Sequence, residues 1–143
     1  MLDIVGAVYG RLNSDATLLA ALAAYGAGKA LVSDPPPADL VVDKALPVLI
    51  VGNPSSDEAA DTYTEDYRTV TLSVRLYHRP AGSSLPLDTA AERVRTLLRS
   101  WPQGAVTGGT LIDAAVSGPV AGPTDDPAVE GRIVTARLIF KET

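Results

Sequence analysis

The sequence contains no cysteine and only one histidine. The absence of cysteine excludes disulfide bonds, thiolate zinc sites and cysteine nucleophiles, and it is consistent with a protein made in a reducing cytoplasm. A metal site or a nucleophile–base pair would have to be built around His78, which comes at the end of an apolar segment beside Arg79 and Pro80. We interpret His78 as a surface or rim residue, and we expect no bound metal and no other cofactor.

The sequence also lacks a long apolar run. No segment approaches the ~18 apolar residues of a membrane span, and Asp3 interrupts the apolar start of the chain, so we expect neither a membrane segment nor a secretory leader. The net charge is −5, and an acidic chain repels phosphate backbones, which argues against nucleic-acid wrapping as a primary function. The 143 residues, 46% of them hydrophobic, suit a single domain spanning residues 1–143 with its own core.

Two segments alternate between apolar and other residues. In residues 70–77 the aliphatic side chains fall on one face, and residues 133–140 repeat the pattern more loosely. Side chains of a strand switch faces at every residue, so this period predicts a sheet with one apolar and one polar face. Residues 46–52 read as a strand buried on both faces, and residues 110–117 as another strand.

Residues 87–101 carry apolar side chains at the helical spacing i, i+3, i+4, i+7. Pro86 suits the first turn of this helix, Pro102 prevents its continuation, and Trp101 lies on the apolar stripe, where we expect core packing. Two short helices are predicted before residue 26. The short connections favour antiparallel pairing, so the predicted fold is α+β, with a mostly antiparallel sheet of four to five strands and two or three helices packed on one face.

Gly26, Gly28 and Lys29 suggest a phosphate-binding loop, but the pattern fails. The first glycine of that motif would be Ala23, its hydroxyl residue would be Ala30, and a helix precedes it where a strand is required. We interpret the two glycines as the end of the second helix.

Two polar stretches are predicted to project from the fold: about residues 53–66, as a loop or an extended hairpin tip, and about residues 118–131, as a second long loop. They contain three pairs of adjacent carboxylates: Asp57 and Glu58, Glu65 and Asp66, Asp125 and Asp126. Their spacing fits neither a calcium loop nor the paired carboxylates of a glycosidase. We therefore expect solvated loop charge, no catalytic residue and no enzymatic activity.

The order of the elements resembles the tail terminator, or tail-completion, family of long-tailed bacteriophages and gene-transfer particles. The features that carry the resemblance are the N-terminal helical pair, the strand at 47–51, the long strand at 69–78, the helix at 90–98 and the closing strand at 131–138. The resemblance implies a structural virion protein, located in the tail or neck and assembled in the host cytoplasm. Such a protein forms a ring, usually of six copies, at the head-proximal end of the tail tube.

The resemblance also implies partners. They are further copies of the same chain, the major tail tube protein and a head-completion or stopper protein, while DNA passes through the lumen without specific binding. We expect the acidic residues of the first loop to face the lumen or a neighbouring subunit: Asp57, Glu58, Asp61, Glu65 and Asp66. Arg68, Arg75 and Arg137 are expected on the polar sheet face, in ion pairs between subunits. The alternative is that all eight side chains are merely solvated.

Two other readings stay open at this point. The chain could be a different neck component, such as the stopper or an adaptor. It could also be a small-ligand-binding or enzymatic α+β domain, which would need a concave pocket with convergent polar groups. The residues available to build that pocket are Tyr67, Arg75, Tyr77 and His78.

Overall fold

The computed structural model describes residues 2–40, 46–59 and 66–142. Strands account for 44% of these described residues and helices for 24%. The elements in chain order are α1 (Ile4–Asn13), α2 (Ala16–Ala21), β1 (Ala24–Tyr25), β2 (Gly28–Lys29), β3 (Leu31–Ser33), β4 (Val48–Val51), β5 (Ser56–Ala59), β6 (Tyr67–His78), α3 (Leu85–Arg99), β7 (Gly104–Val106), β8 (Gly109–Gly122) and β9 (Glu130–Glu142).

Seven strands form one curled sheet, which makes a half-barrel. Six of them follow the order β3-β4-β6-β9-β8-β7, and β5 pairs with β6 beyond the end of β4. The β3–β4 pair is parallel, and the other pairs of this sheet are antiparallel. The sheet is therefore mixed.

The predicted fold class, a mostly antiparallel sheet of four to five strands with helices on one face, is wrong. The additional strands β3, β5 and β7 are only three or four residues long, too short to show a period of two. All four residues of β5 are exposed, so the strand carries no apolar alternation that a sequence pattern could report. These strands form because each one pairs with the open edge of a neighbouring strand, so they depend on tertiary structure and not on local sequence.

The core lies between the inner face of the sheet and the helices. The alternation predicted for β6 and β9 is confirmed, because the inner residues of both strands are fully buried: Val70, Leu72, Val74, Leu76, Val134, Ala136, Leu138 and Phe140. The predicted long helix is also confirmed as α3, which buries Leu87, Val94 and Leu98 against this face, and Trp101 packs on the same cluster. Burying each large aliphatic side chain stabilises the fold by about 1.5–3 kcal/mol.

The outer face of the sheet is partly covered. Val48 of β4 lies on this face yet is buried, because Ala23 and Ala30 at the base of the β1–β2 hairpin pack against it. Gly26, predicted to end a helix, instead lies in the turn of this hairpin with φ 57°, where glycine is favoured. The second helix ends earlier, at Ala21. The outer face therefore stays open mainly over β5, the first half of β6, β9 and β8.

Candidate interaction surface

The described residues offer little for catalysis. Within residues 2–40, 46–59 and 66–142, no group of three or more histidine, aspartate or glutamate side chains could hold a metal ion. No helix in the same ranges is long and apolar enough to cross a membrane. The site therefore has to be sought on surfaces.

The four residues proposed for a ligand pocket do not converge. Tyr67, Arg75 and Tyr77 lie on the outer face of β6, whereas His78 lies on the inner face and is fully buried. The interpretation of His78 as a surface or rim residue is therefore wrong. His78 follows the buried Leu76 by two residues, so the period of two along the sequence predicts that His78 lies on the inner face. Its Nε2 atom lies 3.7 Å from Oε2 of Glu130.

A shallow groove of about 390 Å³ lies beside Tyr77 on the outer face. Its other walls come from the connection between β8 and β9: Pro123, Thr124, Asp125, Asp126 and Val129. The carboxylate of Asp126 holds this connection in place by accepting two hydrogen bonds. One comes from the backbone N–H of Ala128, and the other comes from Arg79 Nη2, 2.8 Å away. These bonds lower the pKa of Asp126. Half of the predicted 118–131 loop is strand, and no sequence pattern indicated that residues 123–129 line a groove with Tyr77.

The predicted acidic loop is a hairpin built from β5 and β6. Asp57 and Glu58 lie on β5, with Asp57 opposite Val70 and Glu58 opposite Thr69. Asp66 is exposed, and its backbone carbonyl accepts a hydrogen bond from the N–H of Glu142. Asp61 and Glu65 lie outside the described residues. We call residues 56–59 and 66–71 the acidic hairpin.

Arg68 ties the acidic hairpin to the end of β9. Its guanidinium donates to both carboxylate oxygens of Asp57, with Nε 2.9 Å from Oδ1, and Nη1 lies 2.5 Å from Oε1 of Glu142. The hydrogen bonds that Arg68 donates to Asp57 and then to Glu142 raise its pKa. Arg68 shares the inner face with Val70, opposite to the polar face on which it was expected. Its ion pairs in this structure are within one chain.

Arg75 and Arg137 do lie on the outer face, where they were expected. Arg75 is paired within the chain, with Nη2 2.5 Å from Oδ1 of Asp34. Arg137 is exposed between Thr71 and Ala115, and it has no hydrogen-bond or ion-pair partner among the described residues. Of the three arginines, Arg137 is therefore the one whose charge is available to another molecule.

The likeness of this chain to known proteins lies in its fold. No protein-family model and no curated protein matches the chain. Among solved structures, the chain is similar to a chain in the virion of a native gene transfer agent particle, with a TM-score of 0.76 and 19% sequence identity. The match covers 96% of this chain and 94% of that chain. At this identity the likeness shows that the two chains share a fold.

Proposed function

We propose that this protein is a structural component of a phage-like virion, and specifically a tail terminator that forms a ring on the head-proximal end of the tail tube. The observation that carries the proposal is the fold shared, over almost the whole length of both chains, with a chain from a gene transfer agent virion. The resemblance of the element order to tail terminators points to the same role. In this role the ring stops polymerisation of the tube and joins the tail to the head-completion protein.

The surface of the molecule supports a role in assembly. The open part of the outer face consists mostly of threonine, serine, alanine and isoleucine side chains, a composition that suits contact with protein or with passing DNA rather than chemistry. The net charge of −5 would reduce adhesion of DNA to a lumen, since phosphate contacts with cations dominate such binding. Exposed Glu58 and Asp113 add negative charge at the open part of the sheet.

The test is the phenotype of particles that lack this protein. We expect tails of uncontrolled length that do not attach to heads, and restoration of normal particles when the purified protein is added. Cryo-electron microscopy of complete particles should place its density at the head-proximal end of the tube. Tails of normal length in its absence would contradict the terminator role, and density on the head side of the neck would identify it as a stopper or adaptor.

A further inference from the structure

Among the described residues, the sheet has two unpaired strand edges that lie at the same level along the strand direction. On one side β5 pairs, in the described ranges, only with β6, and on the other side β8 extends past the short strand β7. The register aligns these edges, because Ser56 pairs with Thr71, Thr71 with Arg137, and Arg137 with Ala115. Four strands therefore form a strip, β5-β6-β9-β8, that has an unpaired strand on both sides.

The edge of β8 is unusually accessible. Strand β7 covers only residues 109–111 of β8, and within the described part of the chain no strand pairs with its outer edge beyond Leu111. Residues 113–117 pair regularly with β9 between two register shifts. Natural edge strands are usually protected by charges, prolines or bulges. Here the bulges and Pro119 lie at the ends of this run, and the run itself holds one charged residue, Asp113, followed by alanine, alanine, valine and serine.

We propose that the β8 edge of one copy pairs with the β5 edge of the next copy, so that the sheets of neighbouring subunits join. The proposal rests on the proposed function, since it names the contact between copies that would build the ring. The second copy is the occupant that fits, because it brings a free strand of matching length: β5 has four residues, and the regular run of β8 has five.

Strand direction supports this pairing. Consecutive strands across the strip are antiparallel, so β5 and β8 run in opposite directions. Rotating a copy about an axis roughly parallel to the strands preserves these directions, and β8 would then meet the neighbour's β5 in an antiparallel pair, the more stable arrangement. A contact between two different edges is heterologous, and heterologous contacts generate rings when the rotation closes.

The side chains at the junction leave room for the two strands to approach. If the rows continue without stagger, Ala115 lies beside Ser56 of the neighbouring copy, and both side chains are small and exposed. The outer face would then continue from one subunit to the next, with Arg137 one strand away from the junction. A strand added to an open edge gains backbone hydrogen bonds along its length, which is a recurrent mode of recognition.

Disulfide trapping tests the proposal directly, because the chain has no native cysteine. The variant with Ser56→Cys and Ala115→Cys should form, under mild oxidation, a ladder of covalent multimers that disappears on reduction. A second variant with Glu58→Cys and Ala115→Cys tests a register shifted by two residues, since Glu58 shares the outer face with Ser56. All three positions are exposed, so circular dichroism should show an unchanged fold.

The controls separate this contact from chance collisions and from other interfaces. Each single cysteine variant, and the variant with Ala20→Cys on the exposed side of α2 and Ala115→Cys, should stay uncross-linked. A covalent dimer from Ala115→Cys alone would mean that two β8 edges pair with each other, which overturns the proposal.

Native mass spectrometry of the same variants, alone and with the tail tube protein, separates a failure of the edge pairing from a failure of the proposed ring. Rings that form without cross-linking in either double variant overturn the edge pairing and leave the proposed function standing. A protein that stays monomeric under both conditions overturns the edge pairing and the ring together.

Discussion

Arg93 on α3 binds the carboxylate of Asp15, the residue that caps α2, through two hydrogen bonds. The Nε–Oδ2 distance is 2.8 Å and the Nη2–Oδ1 distance is 2.7 Å. Asp15 Oδ2 also accepts a hydrogen bond from the backbone N–H of Leu18. The bond from Arg93 is the main cause that lowers the pKa of Asp15 to about 2, and the bond from Leu18 acts in the same direction against desolvation. One carboxylate thus begins a helix and fastens it to another.

Replacing Asp15 should therefore cost more than the loss of an ordinary cap. Removing an N-cap side chain lowers the free energy of unfolding by about 1 kcal/mol, and Asp15→Ala also removes the acceptor of Arg93. Asp3→Ala is the matched control, because Asp3 caps α1 by accepting from the N–H of Gly6 alone. Urea unfolding followed by the fluorescence of Trp101 measures both. Equal losses would show that the Arg93 bond adds nothing.

The depressed pKa of Asp15 predicts a loss of stability in acid. The carboxylate titrates near 3.8 in the unfolded chain and at about 2 in the folded one, so its contribution is complete above pH 4 and is lost as the pH falls from there toward 2. Arg93→Gln should flatten this part of the profile, since the unfolded and folded pKa values then approach each other. Urea unfolding at a series of pH values checks this, and an unchanged slope would contradict it.

Arg68 should control the local stability of the acidic hairpin. Arg68→Leu removes the cation between Asp57 and Glu142 and leaves two carboxylates facing each other, while the hydrophobic core is untouched. We expect faster hydrogen exchange for the amides of β5, because this strand is held to the molecule by its pairing with β6. Exchange in β9 next to Phe140 should stay slow. Arg99→Leu, at an exposed arginine on α3, is the control that should change neither.

Under the proposed function, reversing the acidic charges between residues 58 and 65 should impair assembly and leave the subunit folded. Substituting lysine for Glu58, Asp61 and Glu65 changes the net charge from −5 to +1, because each substitution adds two charges. Asp57 is kept, since it pairs with Arg68. Circular dichroism should be unchanged, while particle yield or DNA ejection falls.

The control for this charge reversal carries Thr17→Lys, Ala20→Lys, Glu92→Lys, Thr96→Lys and Gln103→Lys, which add the same six charges at exposed positions elsewhere. Normal particles from the hairpin variant would remove the acidic hairpin from the candidate surface. Equal damage from both variants would assign the effect to overall charge.

The long elements could be predicted from the sequence, and the short ones could not. Strand β6 is twelve residues long and α3 fifteen, so each repeats its period often enough to be read. Strand β3 follows a turn and precedes Asp34-Pro35, and its three residues carry no period of their own. It becomes a strand because residues 31–33 lie beside β4 in parallel, a relationship between distant residues that local patterning does not encode.

The sequence indicated which charged residues lie in the sheet, but it did not predict the ion-pair partner of each one. Arg68 has the same parity along β6 as Val70, which predicts the inner face, but its charge suggested the polar one. At the start of β6 the inner face extends beyond the hydrophobic core, so an arginine can lie there with Asp57 and Glu142. The Arg75–Asp34 pair likewise joins residues far apart in the sequence. Spacing alone does not predict which carboxylate an arginine meets.

The position of β9 has a consequence for how the protein is made. This strand comes after all the others along the described chain, yet it lies between β6 and β8 in the middle of the sheet. During translation, β6 and β8 cannot pair with β9 until β9 has left the ribosome, so the sheet is completed late. A chain broken off before β9 would lack the strand that holds the two halves together. Prematurely terminated copies would then fail to complete the sheet and would be open to proteolysis.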